Sequence, residues 1–382
     1  MKIFVVSRGV PSSSDPQWGI FEWDQVLALR KCGHEVCVLS VESRKKTKFQ
    51  MFRLESNVVD GINHYNFICG PIGALKFLSD KTYISVLSFF FMRLYKHAVS
   101  REGKPDIIYA HYSHIIAMVA KVAGKIDIPI VGMEHWSGLG KPAIKPSILK
   151  RSKLAYQNID SLLVVSSALQ NNIKRQIGVD SVVVPNIIGK EFFYNPVAKA
   201  NSSVEFISTG NLLPIKCMDL IIKAFSMIKD QKHDWRLTIV GAGPEYTKLQ
   251  NLIDENKLSE KIRLVGRKTR EEIVRLLNGS DVYILASSSE TFGVAAAEAI
   301  SCGVPVISTD CGGPSDFISE SNGMVVPVHD AIKLSEAILY MYDNHSRFDR
   351  KAISEAYRKK FSTEAIATKL TDLFENVIKN HQ

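Results

Sequence analysis

The sequence lacks several features that would assign it at once to a class of protein. Its six cysteines are scattered over 382 residues, and no two of them have the CxxC spacing of a metal or redox site. No uncharged stretch approaches the roughly 20 residues that a membrane-spanning helix requires. The apolar run within Met1–Pro11 is too short for a signal peptide and predicts a first strand instead. We therefore expect reduced cysteines and a cytoplasmic protein.

Two ligand-binding signatures are also missing. The segment Ser7–Gly19, between the first predicted strand and the first predicted helix, contains Gly9 and Gly19 but no GxGxxG motif, which argues against a dinucleotide cofactor. The segment is long for a strand-to-helix connection, and we favour a functional loop over a mobile surface loop. His111 and His114 have no carboxylate at metal-ligand spacing, so no metal site is predicted.

The composition is that of an ordinary globular protein, with 46% hydrophobic and 23% charged residues, but the charge is unevenly placed. Residues 1–190 contain 25 Lys and Arg against 14 Asp and Glu, whereas residues 191–382 contain 23 against 25. The basic excess of the whole chain, +9, therefore belongs to the first half. This asymmetry predicts that the first half binds an anionic surface and that the second half has a different function.

Short apolar strands alternate with helices in both halves, a pattern typical of parallel sheets covered on both faces. The first half has a predicted helix at Ile20–Lys31 and predicted strands at Lys2–Val6, Glu35–Val41, Asp106–Ala110, Ile128–Gly132 and Ser161–Val165. The second half has predicted strands at Val204–Ser208, Arg236–Val240, Lys261–Val265, Asp281–Ala286 and Val304–Ser308. Its predicted helices are Met218–Lys229, Glu245–Asn256 and Arg270–Asn278, the last with a capping box of Thr269 and Glu272.

The predicted fold class is α/β, with two doubly wound, Rossmann-like parallel-sheet domains facing across a cleft. The chain length suits two domains, and Glu191–Ser202 has the composition of a linker. We predict an N-terminal domain at 1–195 and a C-terminal domain at 196–361. An amphipathic helix at 362–382, with Ser362 as its N-cap, ends the chain.

The segment 281–316 is the most informative part of the chain. A buried strand runs into a polar turn at Glu290, and a helix rich in alanine follows, with Glu298 eight positions further on. Eight helical residues rise about 12 Å, which is the reach of a sugar, a diphosphate and a ribose laid end to end. The amides of Phe292, Gly293 and Val294 open this helix, and free helix N-terminal amides favour phosphate or hydroxyl groups. The pattern predicts a nucleotide-sugar site.

Two more positions follow predicted strands, and each has a structural alternative. Gly210 ends a strand and Lys216 precedes a helix, where a lysine can neutralise a diphosphate leaving group; the alternative is a solvated surface lysine. His135, in the sequence GMEHWSG, can donate a hydrogen bond to a sugar hydroxyl; the alternative is a structural histidine satisfied by the backbone.

Two basic segments of the first half contain aromatic residues, Arg44–Arg53 and Lys76–Lys96. Segments of this kind lie in a membrane interface without spanning it, which predicts a peripheral protein on an anionic membrane surface. The alternative for the second segment is a helix whose apolar face belongs to the core, formed by Ile84, Leu87, Phe90, Phe91 and Leu94.

On these residues the chain resembles the retaining glycosyltransferases of family 4, which have the GT-B fold. The similarity covers nearly the whole chain, is strongest over 203–327, and rests on the E-x7-E element of Glu290 and Glu298. It implies that Glu290 contacts the donor hexose, that Glu298 contacts the ribose, and that Lys216 binds the diphosphate. By the same resemblance, Gly19 approaches the diphosphate and His135 lies near the sugar. The domain at 1–195 is then expected to bind the acceptor and the domain at 196–361 the donor, and the helix at 362–382 is expected to cross back to the N-terminal domain. The implied catalytic residues are Glu290, His135 and Lys216, and the implied donor-binding residues are Gly19, Gly210, Lys216, Glu290, Phe292, Gly293, Val294 and Glu298.

The resemblance also implies the reaction. A hexose-type sugar passes from a UDP- or GDP-sugar, with retention and without metal or cofactor, to a lipid-linked or surface-glycan acceptor. Such transfers build polysaccharide, capsule or lipopolysaccharide at the inner face of the cell membrane. Three alternatives remain: a nucleotide-sugar epimerase of GT-B architecture, a catalytically inactive scaffold, and a basic protein that binds nucleic acid, although no nucleic-acid motif is present.

The chain departs from the family pattern at three positions. Asn211 replaces the phosphate-binding arginine, Cys217 replaces the glycine after Lys216, and Asp316 replaces a common glutamate. Loss of the arginine implies slower chemistry or a cation supplied from elsewhere, for which Arg267 and Lys268 are candidates.

Overall fold

A computed structural model describes residues 1–12, 15, 18–42, 52–70, 79–141, 143–197, 202–232 and 234–381. The chain divides into two compact units. The first comprises Met1–Ile187 with Thr363–Gln382, and the second comprises Ile188–Ser362. The sequence placed the boundary after residue 195, which lies inside the second unit. Residues 198–201 of the predicted linker lie outside the described residues, as does most of the basic segment Arg44–Arg53.

Within the described residues, the first unit contains one sheet of eight strands in the order β3-β4-β2-β1-β5-β6-β7-β8. The strands are β1 (Lys2–Ser7), β2 (Glu35–Glu42), β3 (Arg53–Val59), β4 (Ile62–Ile68), β5 (Ile107–His111), β6 (Ile130–Glu134), β7 (Ser161–Val164) and β8 (Val182–Val183). Only the pairing of β3 with β4 is antiparallel among these. The helices are α1 (Ile20–Lys31), α2 (Asp80–Glu102), α3 (Ser113–Ala120), α4 (Ala123–Ile126), α5 (Pro146–Tyr156) and α6 (Ser167–Ile177).

The sheet of the second unit is parallel throughout its described part, in the order β11-β10-β9-β12-β13-β14. Its strands are β9 (Val204–Thr209), β10 (Trp235–Val240), β11 (Ile262–Leu264), β12 (Val282–Leu285), β13 (Val306–Thr309) and β14 (Gly323–Val326). Its helices are α7 (Met218–Ile228), α8 (Tyr246–Glu255), α9 (Arg270–Asn278), α10 (Val294–Ser301), α11 (Ala331–Asn344) and α12 (Arg350–Phe361). This is the Rossmann strand order, and the predicted α/β fold class of two doubly wound units is confirmed.

The strand order places one crevice at the centre of the second sheet. The chain winds outward from β9 through β10 to β11 and then returns to the other side of β9 with β12. Ligands of open α/β sheets bind at the carboxyl ends of the strands where the winding reverses. A ligand-binding site in this unit is therefore expected in the two segments that follow β9 and β12.

Hydrogen bonds and side-chain burial agree with two of the sequence predictions for the helices. The capping box predicted for α9 is present, with the Thr269 side chain accepting from the Glu272 amide and the Glu272 side chain accepting from the Thr269 amide. In α2, the five apolar side chains from Ile84 to Leu94 named above are all buried, so the core-face alternative is confirmed for them. None of the helices in the described ranges is long and apolar enough to cross a bilayer.

The last helix, α13 (Thr363–His381), belongs to the first unit. It packs on α1, and its Phe374 ring lies 5.0 Å from the ring of Tyr109 on β5. Hydrogen bonds join His34 to Thr371 and Lys31 to Glu364. The C-terminal helix therefore closes one face of the N-terminal sheet.

Two sequence predictions need correction in the first unit. The strand expected at Ile128–Gly132 is β6, Ile130–Glu134, because Pro129 has no amide hydrogen to pair in the ladder and the buried run continues to Glu134. The hairpin of β3 and β4 was not predicted. It turns at Asp60 and Gly61, which both have positive φ (50° and 72°), as a two-residue hairpin loop requires.

Candidate functional site

The two segments beyond β9 and β12 meet through a charged pair. Lys216 ends a short turn of 3-10 helix at Pro214–Lys216, and its Nζ lies 2.5 Å from Oε1 of Glu290. The Ser287 hydroxyl donates to the same carboxylate oxygen at 2.7 Å. Both charged side chains are partly exposed, the Lys216 side chain at 25% and the Glu290 side chain at 14%. The site therefore presents a carboxylate and an ammonium group to solvent at the switch point of the sheet.

The backbone around Glu290 is held in place by the segment after β13. The Glu290 amide donates to the Cys311 carbonyl at 2.7 Å, and the Glu290 carbonyl accepts from the Gly313 amide at 3.0 Å. A side chain at Gly313 would lie 2.4 Å from the Thr291 carbonyl oxygen. The two segments approach so closely that only glycine fits at 313 without displacement.

The turn then enters α10 through Gly293, whose φ of 85° is in the left-handed region. A Cβ at Gly293 would lie 2.6 Å from Cγ of Pro314. No side chain caps this helix, and the Gly293 carbonyl accepts from the Ala296 and Ala297 amides. Among the described residues no acceptor receives the amides of Phe292, Gly293 and Val294. The helix start therefore offers free donors beside Glu290.

The faces of α10 differ in exposure. Ala296, Ala297 and Ala299 are buried against the unit, whereas Val294 and Glu298, one helical turn apart, are partly exposed. The Glu298 carboxylate therefore belongs to the open face of the helix that carries the free amides.

Three glycines line the ends of β9, β10 and β11. The Gly210 amide donates to Val240, and the Gly241 amide donates to Gly266, at 3.0 and 2.9 Å. A Cβ at Gly241 would lie 1.8 Å from the Gly210 carbonyl oxygen, so the backbones touch. The hydrogen bond from the Gly241 amide to Gly266 places the turn after β11, with Arg267, at the same edge of the sheet as Gly210.

The residue after Gly210, Asn211, is exposed, and so is Arg267. Arg267 has no partner among the described residues, whereas Lys268 is 3.2 Å from Glu272. Of the two cations that the sequence offered as substitutes for the missing arginine, Arg267 is the one whose guanidinium is available.

His135 lies in the first unit, beyond β6, and is buried. Its Nδ1 is 3.2 Å from Oδ1 of Asn186, and its Nε2 is 3.1 Å from Nδ1 of His111. With the Asn186 oxygen accepting, Nδ1 of His135 carries the proton and Nε2 accepts from His111. Burial lowers the pKa of His135 to about 4, so the imidazole is neutral at physiological pH.

Glu134, which the sequence placed in the same polar cluster, has a structural role. It is fully buried, and its carboxylate accepts hydrogen bonds from the amides of Ser113, His135 and Trp136 and from the Tyr156 hydroxyl. Burial raises the pKa of Glu134, and these hydrogen bonds oppose that rise. The carboxylate therefore fixes the turn that carries His135.

Gly19, the remaining predicted residue, begins α1 with a φ of 72°. A Cβ there would lie 2.4 Å from the Gly9 carbonyl oxygen, so the two ends of the loop after β1 are in contact. Sequence reasoning missed the pair of partly exposed Arg8 and buried Glu22 in this region, in which Nε of Arg8 lies 2.8 Å from Oε1 of Glu22. The sequence feature that could have indicated this pair was Glu22, a charged residue on the apolar side of α1.

The structure thus brings Gly210, Lys216, Glu290, Phe292, Gly293, Val294 and Glu298 together in the second unit. Gly19 and His135 belong to the first unit. Within the described ranges no group of three or more His, Cys, Asp and Glu side chains is arranged to hold a metal ion.

Comparison with known proteins places this chain in a family. A model described as Glycosyltransferase Family 4 matches residues 23–191, and one described as Glycosyl transferases group 1 matches residues 190–360. An uncharacterized glycosyltransferase of Methanocaldococcus jannaschii is 30% identical over 290 residues, which are 74% of this chain and 78% of that protein.

Two further proteins are similar to this chain over most of its length. A putative teichuronic acid biosynthesis glycosyltransferase of Bacillus subtilis, TuaC, is 27% identical over 361 residues and 88% of each chain. The solved structure of Anabaena HepE in complex with UDP superposes with a TM-score of 0.73 at 16% identity, covering 98% of this chain and 99% of that one. At that identity the superposition establishes the fold alone.

Proposed function

We propose that this chain, which belongs to the family 4 glycosyltransferases, moves a hexose-type sugar from a nucleotide-diphosphate sugar to a glycan acceptor with retention at the anomeric carbon. The observation that carries the proposal is the pairing of Lys216 with Glu290 beneath the open start of α10. It combines one cation, one carboxylate and free amides at the place in the sheet where α/β proteins bind ligands.

Each group has a role in this reaction. Negative charge grows on the diphosphate as the bond to the sugar breaks, and Lys216 together with the amides of Phe292, Gly293 and Val294 stabilises it. Glu290 accepts hydrogen bonds from the sugar hydroxyls and positions the ring. Glu298 accepts hydrogen bonds from the ribose, one turn along the same helix. The departing diphosphate deprotonates the acceptor.

Arg267 supplies the second cation for the leaving group. The family position for that charge holds Asn211, and Arg267 is the exposed, unpaired cation at the same edge of the sheet. The reaction proceeds without a metal or other cofactor in this proposal, because two cations and the helix start neutralise the diphosphate.

The resemblance supports a role for His135 as a hydrogen-bond donor to a hydroxyl of the sugar. Its Nδ1–H donates a hydrogen bond to Oδ1 of Asn186, and in this proposal the sugar hydroxyl replaces that acceptor. A neutral imidazole suits the role, because it donates one hydrogen bond without adding a charge beside the reacting centre.

The donor is a UDP- or GDP-sugar. The complex of HepE with UDP supports a uridine nucleotide for a protein of this fold. The acceptor is a lipid-linked or surface glycan, in keeping with the name of the Bacillus subtilis relative, a putative teichuronic acid biosynthesis glycosyltransferase. The basic first half of the chain favours an anionic membrane surface at the cytoplasmic side, where such an acceptor resides.

A panel of UDP-, GDP- and ADP-sugars tests the donor. A bound ligand raises the melting temperature by mass action, so one base and one sugar should stand out. The selected donor is then incubated with glycan acceptors, and the anomeric configuration of the product is read by NMR. An α-linked product from an α-linked donor supports retention. Release of a free epimerised sugar without acceptor indicates the epimerase alternative, and absence of any donor effect contradicts the proposal.

A further inference from the structure

The two oxygens of the Glu290 carboxylate have different surroundings. Oε1 accepts from Nζ of Lys216 at 2.5 Å and from the Ser287 hydroxyl at 2.7 Å. No donor to Oε2 of Glu290 is found in the part of the chain that the structure describes. An ionised carboxylate has about four sites that accept hydrogen bonds, so Oε1 is occupied by the protein and Oε2 is open to a ligand.

The two donors to Glu290 differ in mobility. Ser287 is fully buried, and its carbonyl accepts from the Thr309 hydroxyl at 2.6 Å, which ties it to the end of β13. Lys216 lies on a single turn of 3-10 helix, and its partly exposed ammonium group is carried by a flexible four-carbon stem. If the charged pair separates, the lysine moves and the serine stays with the carboxylate.

The charged pair limits the attraction of a diphosphate. The positive charge of Lys216 is in direct contact with the negative charge of Glu290, so a ligand at this point meets a nearly neutral pair. A phosphate oxygen and Oε1 of Glu290 are both anionic acceptors, and they compete for the same ammonium group. A diphosphate that takes the lysine leaves Glu290 with the Ser287 hydroxyl alone. Loss of the partner of a partly buried charge costs free energy.

A sugar attached to the diphosphate offsets this cost. Its hydroxyls can donate to Oε2 of Glu290 without displacing a donor of the protein, and they can replace Lys216 at Oε1. Hydrogen bonds to an ionised acceptor are roughly twice as strong as those between neutral groups. A ligand with both a diphosphate and a sugar therefore replaces both sides of the pair, whereas a bare nucleoside diphosphate replaces only one.

We propose that the pair of Lys216 and Glu290 selects a nucleotide that carries a sugar over the bare nucleoside diphosphate. Glu290 is an internal competitor for Lys216, and the sugar hydroxyls relieve that competition. The identity of the ligand rests on the proposed function. The inference adds a means of product release to it: once the sugar has been transferred, the carboxylate recovers the lysine from the diphosphate.

Calorimetric titration of matched nucleotides tests the inference. UDP with UDP-glucose, and GDP with GDP-mannose, are titrated into the full chain without acceptor. Glu290→Gln keeps the size of the side chain and removes its charge, and Glu290→Ala is a second variant without the charge. Glu336→Gln is the matched control, because Glu336 pairs with Lys333 on the exposed surface of α11. Lys216→Gln and its combination with Glu290→Gln complete a double-mutant cycle.

The two variants of Glu290 should bind the bare nucleoside diphosphate about threefold to tenfold more tightly than the wild type, because Lys216 is no longer neutralised. The ratio of the dissociation constant of the sugar-carrying nucleotide to that of the bare one should rise about tenfold in Glu290→Gln, since charge-assisted hydrogen bonds to the sugar are lost as well. In the Lys216→Gln background the change at Glu290 should give a smaller gain. Glu336→Gln should bind both nucleotides as the wild type does.

Three results would overturn the inference while nucleotide binding itself is observed. The first is that neither Glu290 variant binds the bare nucleoside diphosphate more tightly than the wild type. The second is a gain of equal size in the Lys216→Gln background, which would indicate simple repulsion by the carboxylate. The third is the same gain in Glu336→Gln. Absence of binding of all four nucleotides to the wild type contradicts the proposed function, and the inference with it.

Discussion

Lys216 and Glu290 lie 74 positions apart in the chain, and their side chains meet with 2.5 Å between Nζ and Oε1. The pair forms because β9 and β12 are neighbours in the sheet and both end at the same edge. Each group holds the other at the position that we propose for the diphosphate and the sugar. Loss of either should therefore disturb catalysis more than folding, because both side chains are partly exposed.

Replacement of the lysine isolates its contribution. Lys216→Gln should lower the turnover number about 100-fold, because a cation that stabilises transition-state charge is lost. Initial rates of sugar transfer measure this effect. The control is Lys223→Gln on α7, whose lysine pairs with Asp219 on the exposed surface. Equal rates of sugar transfer for the two variants would show that Lys216 has no role in the reaction.

Arg267 should also contribute to the rate. Arg267→Ala is expected to lower transfer by about tenfold or more, because it removes a charge-assisted contact to the diphosphate. Lys268→Ala should have a smaller effect, since Lys268 is paired with Glu272. If addition of Asn211→Arg to the Arg267→Ala variant restores the rate of transfer, the two positions stabilise the same charge on the diphosphate. A rate unaffected by Arg267→Ala contradicts the assignment.

The start of α10 should be sensitive to a single methyl group. Gly293→Ala combines a positive φ with a contact of 2.6 Å to Pro314. It should lower the free energy of unfolding by more than the roughly 1–2 kcal/mol of the left-handed conformation alone. Gly266→Ala is the matched control in the same unit, because Gly266 has a φ of 71° and open space around it. Urea denaturation compares the two, and equal losses would show that the Pro314 contact is unimportant.

Acidification below a pH of about 6.5 should destabilise the first unit through its buried histidines. Burial lowers the pKa of His135 to about 4 and that of His111 well below its usual value. The unfolded chain binds protons at these histidines below a pH of about 6.5 while the folded chain does not, so stability is full above that pH and falls as the pH drops.

Between pH 7 and pH 5 the loss should be on the order of 2 kcal/mol for His135 alone. Denaturation at the two pH values measures it, and the NMR signals of the His135 ring should remain those of the neutral form at pH 5. His329→Gln is the control, because His329 lies in the second unit. A titration midpoint for His135 near 6.5 would contradict the burial argument.

Local patterns predicted much of the fold. The helix at Ile20–Lys31 and the helix at Arg270–Asn278 have the predicted bounds, since their end signals are local: Gly33 and the capping box of Thr269. The hairpin at Asp60 and Gly61 was equally local, and its Asp-Gly dipeptide between alternating residues was the overlooked signal.

The site was predictable only in part. Lys216, Glu290 and Glu298 were recognisable from their positions after strands and on a helix. Their mutual contacts depend on which strands are neighbours, a long-range property that spacing does not contain. The same holds for Glu134, whose four hydrogen-bond donors come from several segments of the first unit.

The central claim is that the face of α10 holds the nucleotide end of the donor, and calorimetric titration of the donor tests it most directly. Glu298→Ala should weaken donor binding about tenfold to hundredfold, because hydrogen bonds from the ribose to a charged acceptor are lost. Glu355→Ala, on the exposed surface of α12, should bind the donor as the wild type does. An unchanged dissociation constant for Glu298→Ala would contradict the account.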